Sequence, residues 1–391
     1  MKFVGIDSGV YNCVAVILNT DTGKSEEVTF STTKESIKAF AEKILTKDMV
    51  IGIEASVNTF YLANQLKPYV DKVIVVVPEK QKDGIKTDKR DAERIAKSLA
   101  MGTYKPCWLP PLPIGELRCV MHHIYNLTKD GARARNRVRA FLWREGIILK
   151  SKDLSTKKGE EEINEILRNL PQHKAKILSD YLDDWQRAKE KLQDKENELL
   201  ELAKDDYFVQ LLMTVYGINV RSAFYILAEI GDIFRFPSPR QLARYAGLVP
   251  TVQQSGKHCY TGRITKAGRK VLRWVMVQIA NNAIRQEGPL RDFYLRLANR
   301  KGHNKAIVAC ARKLLCIIWH MLTRGEIYRN CDTELYNKKI RKIKKVAKKE
   351  KSDWEISLPE LLSKLKDFIE SEEPSSVMGC PKAIARLMKK I

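Results

Sequence analysis

Apolar and polar positions alternate in short blocks over the first hundred residues. Runs at 2–7, 13–18, 27–31, 49–54 and 72–77 are rich in Val and Ile and end in turn residues, which predicts strands. Tight turns, Asp7-Ser-Gly and Asp21-Thr-Gly, separate the first three. Helical patterns separate the later ones. Thr32-Thr-Lys-Glu35 reads as a capping box, with Ile37, Phe40 and Ile44 as the buried stripe of the helix it opens. Asn58 is placed to cap a second helix that ends before Pro68. Hairpins first and strand–helix–strand afterwards predict a mixed sheet flanked by helices.

Beyond the proline-rich stretch Pro106 to Pro113 the pattern turns helical. Residues 115–147 read as one helix carrying Arg118, Lys129, Arg133, Arg135, Arg137 and Arg139. Residues 173–204 form a long helix in which Leu178, Trp185, Leu192 and Leu199 recur every seven positions, with Tyr181, Ala188 and Leu202 on the adjoining seam. Two readings remain open for it: a coiled-coil arm, or a long helix packed on its own domain. Leu211 to Leu227 resembles a helix–hairpin–helix, with Gly217 in the turn and Asn219 where a second glycine would stand. An ordinary helix pair joined by a glycine turn reads the same residues as well. Lys338 to Lys351 holds nine Lys or Arg and one acid, with Ile340, Ile343 and Val346 spaced three apart, as in a basic helix. The expected domains are 1–147, an arm at 148–206, a second globular unit at 207–328 and a basic extension at 329–391. The expected class is α/β plus α: an N-terminal ribonuclease-H-like mixed sheet, a helical arm, and a mostly helical C-terminal domain.

Charge narrows the partners. The chain of 391 residues carries a formal net charge of +23 and 44% hydrophobic residues, so it is globular and suited to a polyanion. No apolar stretch is expected to approach the roughly 18–20 residues that span a bilayer, so no membrane partner is expected. Eight cysteines without a Cys-x-x-Cys pair read as reduced, cytoplasmic usage. The first strand begins at once, with no signal or transit peptide expected.

The candidate chemistry lies in four acids. Asp7 and Glu54 each end an apolar run, and Asp88 and Asp91 open a helical pattern in Lys86-Thr-Asp-Lys-Arg-Asp91. A buried, unpaired carboxylate is costly, and several together suit a hard divalent cation, normally Mg²⁺. Acids near a helix start also answer the helix dipole, which explains Asp88 or Asp91 alone but not Asp7 and Glu54. Lys86, Lys89 and Arg90 flank the acids as candidate nucleic-acid contacts.

A second cluster runs from Gly247 to Arg269: Ser255-Gly-Lys257, then Gly262-Arg-Ile-Thr-Lys-Ala-Gly268. It reads as a structured loop between helices, offering Lys257, Arg263, Lys266 and Arg269 to phosphate. Ser255 is a nucleophile where a base or metal activates it, and a turn or capping serine otherwise. The six histidines form no ligand cluster, and each reads as a surface or packing residue. A Gly-x-Ser-x-Gly elbow and a Walker phosphate loop are absent, which excludes a serine-hydrolase elbow and argues against an ATP-driven motor.

Gly5-Ile-Asp7, Ile53-Glu-Ala55, Lys86-Thr-Asp-Lys-Arg-Asp-Ala92, Ala228-Glu-Ile-Gly-Asp232, Phe236-Pro-Ser238, Tyr245-Ala-Gly-Leu-Val-Pro250, Ser255-Gly256, Gly262 to Gly268 and Ala311-Arg-Lys-Leu-Leu315 follow one another in the order and spacing of a known family. Over about 1–328 the chain resembles the DEDD transposases of the IS110 insertion-sequence family. The resemblance implies a RuvC-like first domain whose four metal-binding acids fall on Asp7, Glu54, Asp88 and Asp91. It implies a nucleophilic serine at Ser255 that forms a covalent link to DNA, with Mg²⁺ beside it. It further implies protomers paired through the helical arm, a site composed between subunits, and a structured RNA from the element that pairs with donor and target double-stranded DNA. Arg269 departs from the family, where an asparagine is common after the glycine. Two rival functions are a RuvC-like endonuclease using water, with Ser255 structural, and a non-catalytic nucleic-acid-binding protein.

Overall fold

The computed structural model describes residues 1–77, 87–151, 154–203, 206–255 and 258–349. Lys86, Gly256, Lys257, the Ser255 side chain and the tail beyond 349 lie outside the described residues. The chain divides into two compact units, Met1–Gly115 and Glu116–Ile391.

The first unit is a six-stranded mixed sheet in the order β3-β2-β1-β4-β5-β6. Its strands are β1 (Lys2–Ser8), β2 (Asn12–Asn19), β3 (Ser25–Ser31), β4 (Val50–Glu54), β5 (Lys72–Val76) and β6 (Pro106–Cys107). The first three are antiparallel, β1, β4 and β5 are parallel, and β6 runs back along β5. This order is consistent with a ribonuclease-H-like unit. Helices α1 (Lys34–Ile44) and α2 (Thr59–Leu66) cover one face, where Val4, Ile6, Ile51 and Ile53 meet Ile37, Phe40, Leu62 and Leu66. Phe30 stacks on Phe40 with ring centres 4.1 Å apart. The cap of α1 is Thr33, accepting from the Ser36 amide, not a box of Thr32 and Glu35. Thr32 instead donates its hydroxyl to the Val10 and Tyr11 carbonyls. Asn58 holds the N-cap position of α2, but its amide group donates to the Gly9 carbonyl at 3.0 Å.

Helix α3 (Asp88–Ala100) covers the opposite face, capped by Thr87. Its approach is set by two glycines that lie side by side, Gly5 on β1 and Gly52 on β4. A Cβ at Gly5 would stand 2.0 Å from the Ala92 carbonyl oxygen and 2.5 Å from the Ala96 amide nitrogen. A Cβ at Gly52 would meet only the side-chain ends of Ile95 and Leu99, each at 2.7 Å. The sheet therefore has a trough two glycines wide, and the small face of α3 lies in it backbone to backbone.

The second unit is helical: α4 (Leu112–Arg144, which begins in the first unit), α5 (Lys157–Asn169), α6 (Gln172–Ala203), α7 (Tyr207–Met213), α8 (Val220–Ile230) and α9 (Pro239–Tyr245). A hairpin of β7 (Pro250–Ser255) and β8 (His258–Ile264) follows. Then come α10 (Lys270–Ala283), α11 (Pro289–Lys301), α12 (His303–Arg324) and α13 (Thr333–Lys349). The main core draws on α4, α6, α7, α8, α10 and α12. A smaller core forms the arm, where Val138 and Leu142 of α4 meet Ile163 of α5 and Leu178 of α6, with Trp185 against them. Leu192 and Leu199 pack on the main core. The heptad seam is thus filled within its own unit, which favours the reading of a helix packed on its own domain. Helix α12 is long and apolar enough to cross a membrane by length and composition, contrary to the expectation that no such stretch exists. Half of that window is buried, with Cys310, Leu314 and Ile318 in the main core.

The basic helix α13 is docked rather than free. Ile343 is buried in the main core, and Lys339 donates to the carbonyls of Met213 at 2.7 Å and Val215 at 3.0 Å. Burial holds the Lys339 ammonium down at about 8. The folded value is depressed below the ordinary one of about 10.4, so folding disfavours the charged lysine and this penalty fades as pH rises through 8 to 10.

Candidate metal centre

The side chains of Asp7 and Glu54 follow Gly5 and Gly52 by two positions, so the period of a strand puts them on the same face as the glycines. Strand register sets Ile6 beside Ile53, which brings the two acids to neighbouring strand ends. Seating α3 in the trough then places Asp91, next to Ala92, over both. Ligand oxygens of Asp7, Glu54 and Asp91 all lie within 4.8 Å of one another. Asp91 is 1% exposed, while the other two are half-buried. Arg94 sits 2.9 Å from Asp91 and offsets part of the charge. Each pair of carboxylates at this separation repels by about 3 kcal/mol at an effective dielectric of ~20. Hard oxygen donors converging in this way fit a divalent cation of the Mg²⁺ or Ca²⁺ type, not a sulfur- or imidazole-seeking metal. Cys13, buried near Asp7, is raised to about 11 by burial and then by the Asp7 charge, and stays a thiol.

Asp88 stands apart from this group. It is the first residue of α3, exposed, and lies outside the trio within 4.8 Å. Lys89 pairs with Glu27 at 2.5 Å, and Arg90 is exposed beside it.

In the second unit, Ser255 ends β7 opposite His258. The segment, expected as a structured loop between helices, is a β-hairpin. Arg263 and Lys266 are exposed on its descending side. Its feet are tied to each other and to the end of α9. The Thr265 amide donates to the Val249 carbonyl at 2.9 Å, and the Arg269 amide to that of Tyr245 at 2.9 Å. Gly268, at φ +100°, lies where a Cβ would sit 2.1 Å from the Tyr245 oxygen, so only glycine fits.

Two cations expected to meet phosphate are used otherwise. Arg118 is largely buried and donates to the carbonyls of Ala228 at 2.6 Å and Glu229 at 2.8 Å, so its guanidinium braces the end of α8. Arg269 grips Glu229 with both sides of its fork, at 2.6 and 3.1 Å. Arg133 pairs with Asp130 at 2.9 Å, while Arg137 lies 3.9 Å from Asp184; both remain mostly exposed. Gly217, at φ +86°, packs against the backbone of α10, where a Cβ would stand 3.0 Å from the Ile279 oxygen. Asn219 is extended and caps α8 in a box with Ser222, so it does not take the left-handed turn position.

Glu229 is the residue that sequence reasoning passed over. It is 1% exposed and bonds His122 at 2.8 Å as well as Arg269. Burial alone would raise its carboxyl; hydrogen bonds from His122 and Arg269 and the charges of Arg269 and Arg118 outweigh this and hold it at about 2. The signal was present: one acid inside the apolar run of α8 needs a buried partner, as the four N-terminal acids do. A carboxyl depressed in the folded state stabilises fully above its unfolded value and loses that contribution as pH falls through the folded one. Glu229 therefore contributes about 3 kcal/mol that fades between pH 4.5 and 2. Acid unfolding followed by circular dichroism will show Glu229→Gln losing less stability than wild type over that interval.

Two family models match the chain. One, a transposase model named DEDD_Tnp_IS110, covers residues 4–145, and the other, "Transposase IS116/IS110/IS902 family", covers residues 209–295. The transposase for insertion sequence element IS1111A of Coxiella burnetii is 27% identical over 62% of this chain and 68% of its own length. A probable family 20 transposase of Pseudomonas aeruginosa is 27% identical over 72% of this chain and 86% of its own. The pilin gene-inverting protein of Moraxella lacunata is 32% identical over 31% of this chain and 38% of its own. The DEDD model spans Asp7, Glu54, Asp88 and Asp91.

Proposed function

Because this chain belongs to the IS116/IS110/IS902 family of transposases, and so acts in DNA transposition, we propose that it cuts and rejoins DNA with Mg²⁺ at Asp7, Glu54 and Asp91 and with Ser255 as the attacking group. The observation that carries the reading is the convergence of three acids from two strand ends and one helix. Asp88, one helical turn earlier on α3, extends the acid face toward the incoming substrate. When bound, the cation neutralises a phosphate and eases ionisation of the attacking hydroxyl.

The chain's own residues do the rest. The oxygen of Ser255 bonds to phosphorus, the bond from phosphorus to one deoxyribose oxygen breaks, and that oxygen leaves as a hydroxyl once protonated. The serine–phosphate ester keeps the energy of the broken bond, so rejoining needs no nucleotide cofactor. Arg263 and Lys266, exposed on the hairpin, together with Lys257, hold the phosphate, while the exposed Arg133 and Arg137 track the backbone. The net charge of +23 suits a structured RNA of the element, pairing with donor and target, in addition to the duplexes. Pairing of protomers through the arm uses its outer face, where Ile177 is exposed, since the heptad seam is filled.

A second reading, strand hydrolysis by water, is favoured by the fact that all three acids belong to one unit. Ser255→Ala separates the two. The serine reading expects loss of the covalent protein–DNA adduct on a denaturing gel, with nucleic-acid affinity within about twofold of wild type. An adduct that persists in Ser255→Ala rejects it. Nicking by both proteins without any adduct favours water.

A further inference from the structure

Two loops rise beside the acid site, one from the end of β1 and one from the end of β4. Together they display three apolar side chains to solvent: Val10 at 81% exposure, Tyr11 at 83% and a fully exposed Val57. The loops that carry them are not loose. The Ser8 and Ser56 hydroxyls meet at 2.7 Å, and the Asn58 side chain donates to the Gly9 carbonyl at 3.0 Å. The Gly9 amide donates to the Asn12 carbonyl at 2.9 Å, and Thr32 holds the Tyr11 carbonyl through both its amide and its hydroxyl. A well-tied backbone fixes the position of these side chains, while no described residue of the unit covers them. Clustered apolar exposure of this kind marks a contact surface.

We propose that Val10, Tyr11 and Val57 form a wedge that stacks on an unpaired nucleobase of the DNA strand led to the Asp7, Glu54 and Asp91 site. The site receives a phosphodiester, so the bases on either side of that phosphate must pass over the adjoining loops. A tyrosine ring offers a face to any base, and stacking of this type tolerates sequence. Val10 and Val57, on the same pair of loops, exclude water from the stack and fill the gap left in a parted duplex. The strong positive charge of the chain brings the strand to the site but does not part it; the wedge supplies that step. The inference rests on the reading of the acids as acting on DNA.

The test uses the full chain, as wild type, Tyr11→Ala and Tyr11→Trp. A single-stranded DNA oligonucleotide carrying 5-iododeoxyuridine is irradiated with each protein, and the cross-linked peptide is mapped. In parallel, Mg²⁺-dependent strand cleavage is followed on a fully paired duplex and on the same duplex with a short mismatched bubble. The wedge requires a cross-link at position 11 in wild type. It requires cleavage of the paired duplex by Tyr11→Ala to fall about tenfold or more, with the bubble restoring most of the loss and tryptophan restoring nearly all of it. Cross-links that map elsewhere, or an equal loss on both substrates, overturn it. So does a changed oligomeric state in Tyr11→Ala, which would make the patch an interface between copies. The cross-link needs no chemistry, so a protein that cross-links at Tyr11 but never cleaves keeps the wedge and rejects the catalytic reading instead.

Discussion

Alanine at position 5 will scatter the three converging acids without altering any of them. The added Cβ would lie 2.0 Å from the Ala92 oxygen, and a carbon and a carbonyl oxygen need roughly 3.3 Å. Both groups in conflict belong to backbone, so no rotamer relieves the clash and α3 must retreat by about 1 Å or more. The cost is about 3 kcal/mol, at the upper end for a single overpacked site. The same retreat lifts Asp91 away from Asp7 and Glu54. A displacement of about 1 Å at a reacting centre is worth roughly a hundredfold in rate, so strand cleavage falls by at least that much. Gly52→Ala is the control, because its Cβ meets the movable ends of Ile95 and Leu99 and costs less. Urea unfolding and a divalent-cation titration on both variants check the claim. Wild-type stability in Gly5→Ala would contradict the packing argument.

The second large effect is expected at Glu229. Its removal as Glu229→Ala leaves the Arg269 guanidinium and the His122 ring facing a void in the body of the second unit, with Arg118 close by. Breaking a buried pair from one side costs about 3–5 kcal/mol where the surviving charge stays uncompensated, and about 2–3 kcal/mol here, because solvent reaches Arg269 (34% exposed) and His122 (44%). Arg269→Ala strands the Glu229 carboxylate in turn and costs a similar amount. The double variant loses much less than the sum, with a coupling of about 2 kcal/mol in a double-mutant cycle read by denaturant unfolding. Additive losses would mean that the contact contributes nothing of its own. The hairpin loosens in each variant because its descending foot ends at Arg269. It has little core to fall back on, since β8 is exposed along nearly its whole length.

What was legible in the sequence followed from local rules. The five longer strands announced themselves by length and alternation, and the two-residue β6 did not because prolines fill its neighbourhood. Asp7 and Glu54 were legible as costly acids at strand ends. The trough that unites them with Asp91 was not, because Gly5 and Gly52 become neighbours only once strand register is known. Asp88 and Asp91 share a helix face by spacing, yet only Asp91 reaches the site; position 88 is at the very tip of α3 and faces water. The heptad of α6 recorded a real buried seam, but periodicity does not say whether the facing helix belongs to another chain or, as with α4 and α5, to the same one. Helix α5 was hidden within an arm read only as helical. Arg118 shows the limit of counting charges on a helix, since its partners are carbonyls of α8 more than a hundred residues away. The expectation that no apolar stretch reaches membrane length missed α12, which does so by length and composition and has half of that window buried.

The claim on which the account turns is that Asp7, Glu54 and Asp91 share one divalent cation. Calorimetric titration of Mn²⁺ into the full chain, compared with Asp7→Asn, Glu54→Gln, Asp91→Asn and Asp88→Asn, tests it most directly. Each of the first three substitutions is expected to weaken binding by at least about tenfold, from the loss of one carboxylate ligand, and Asp88→Asn by less than any of them. Undiminished Mn²⁺ affinity in the three triad variants would contradict the account.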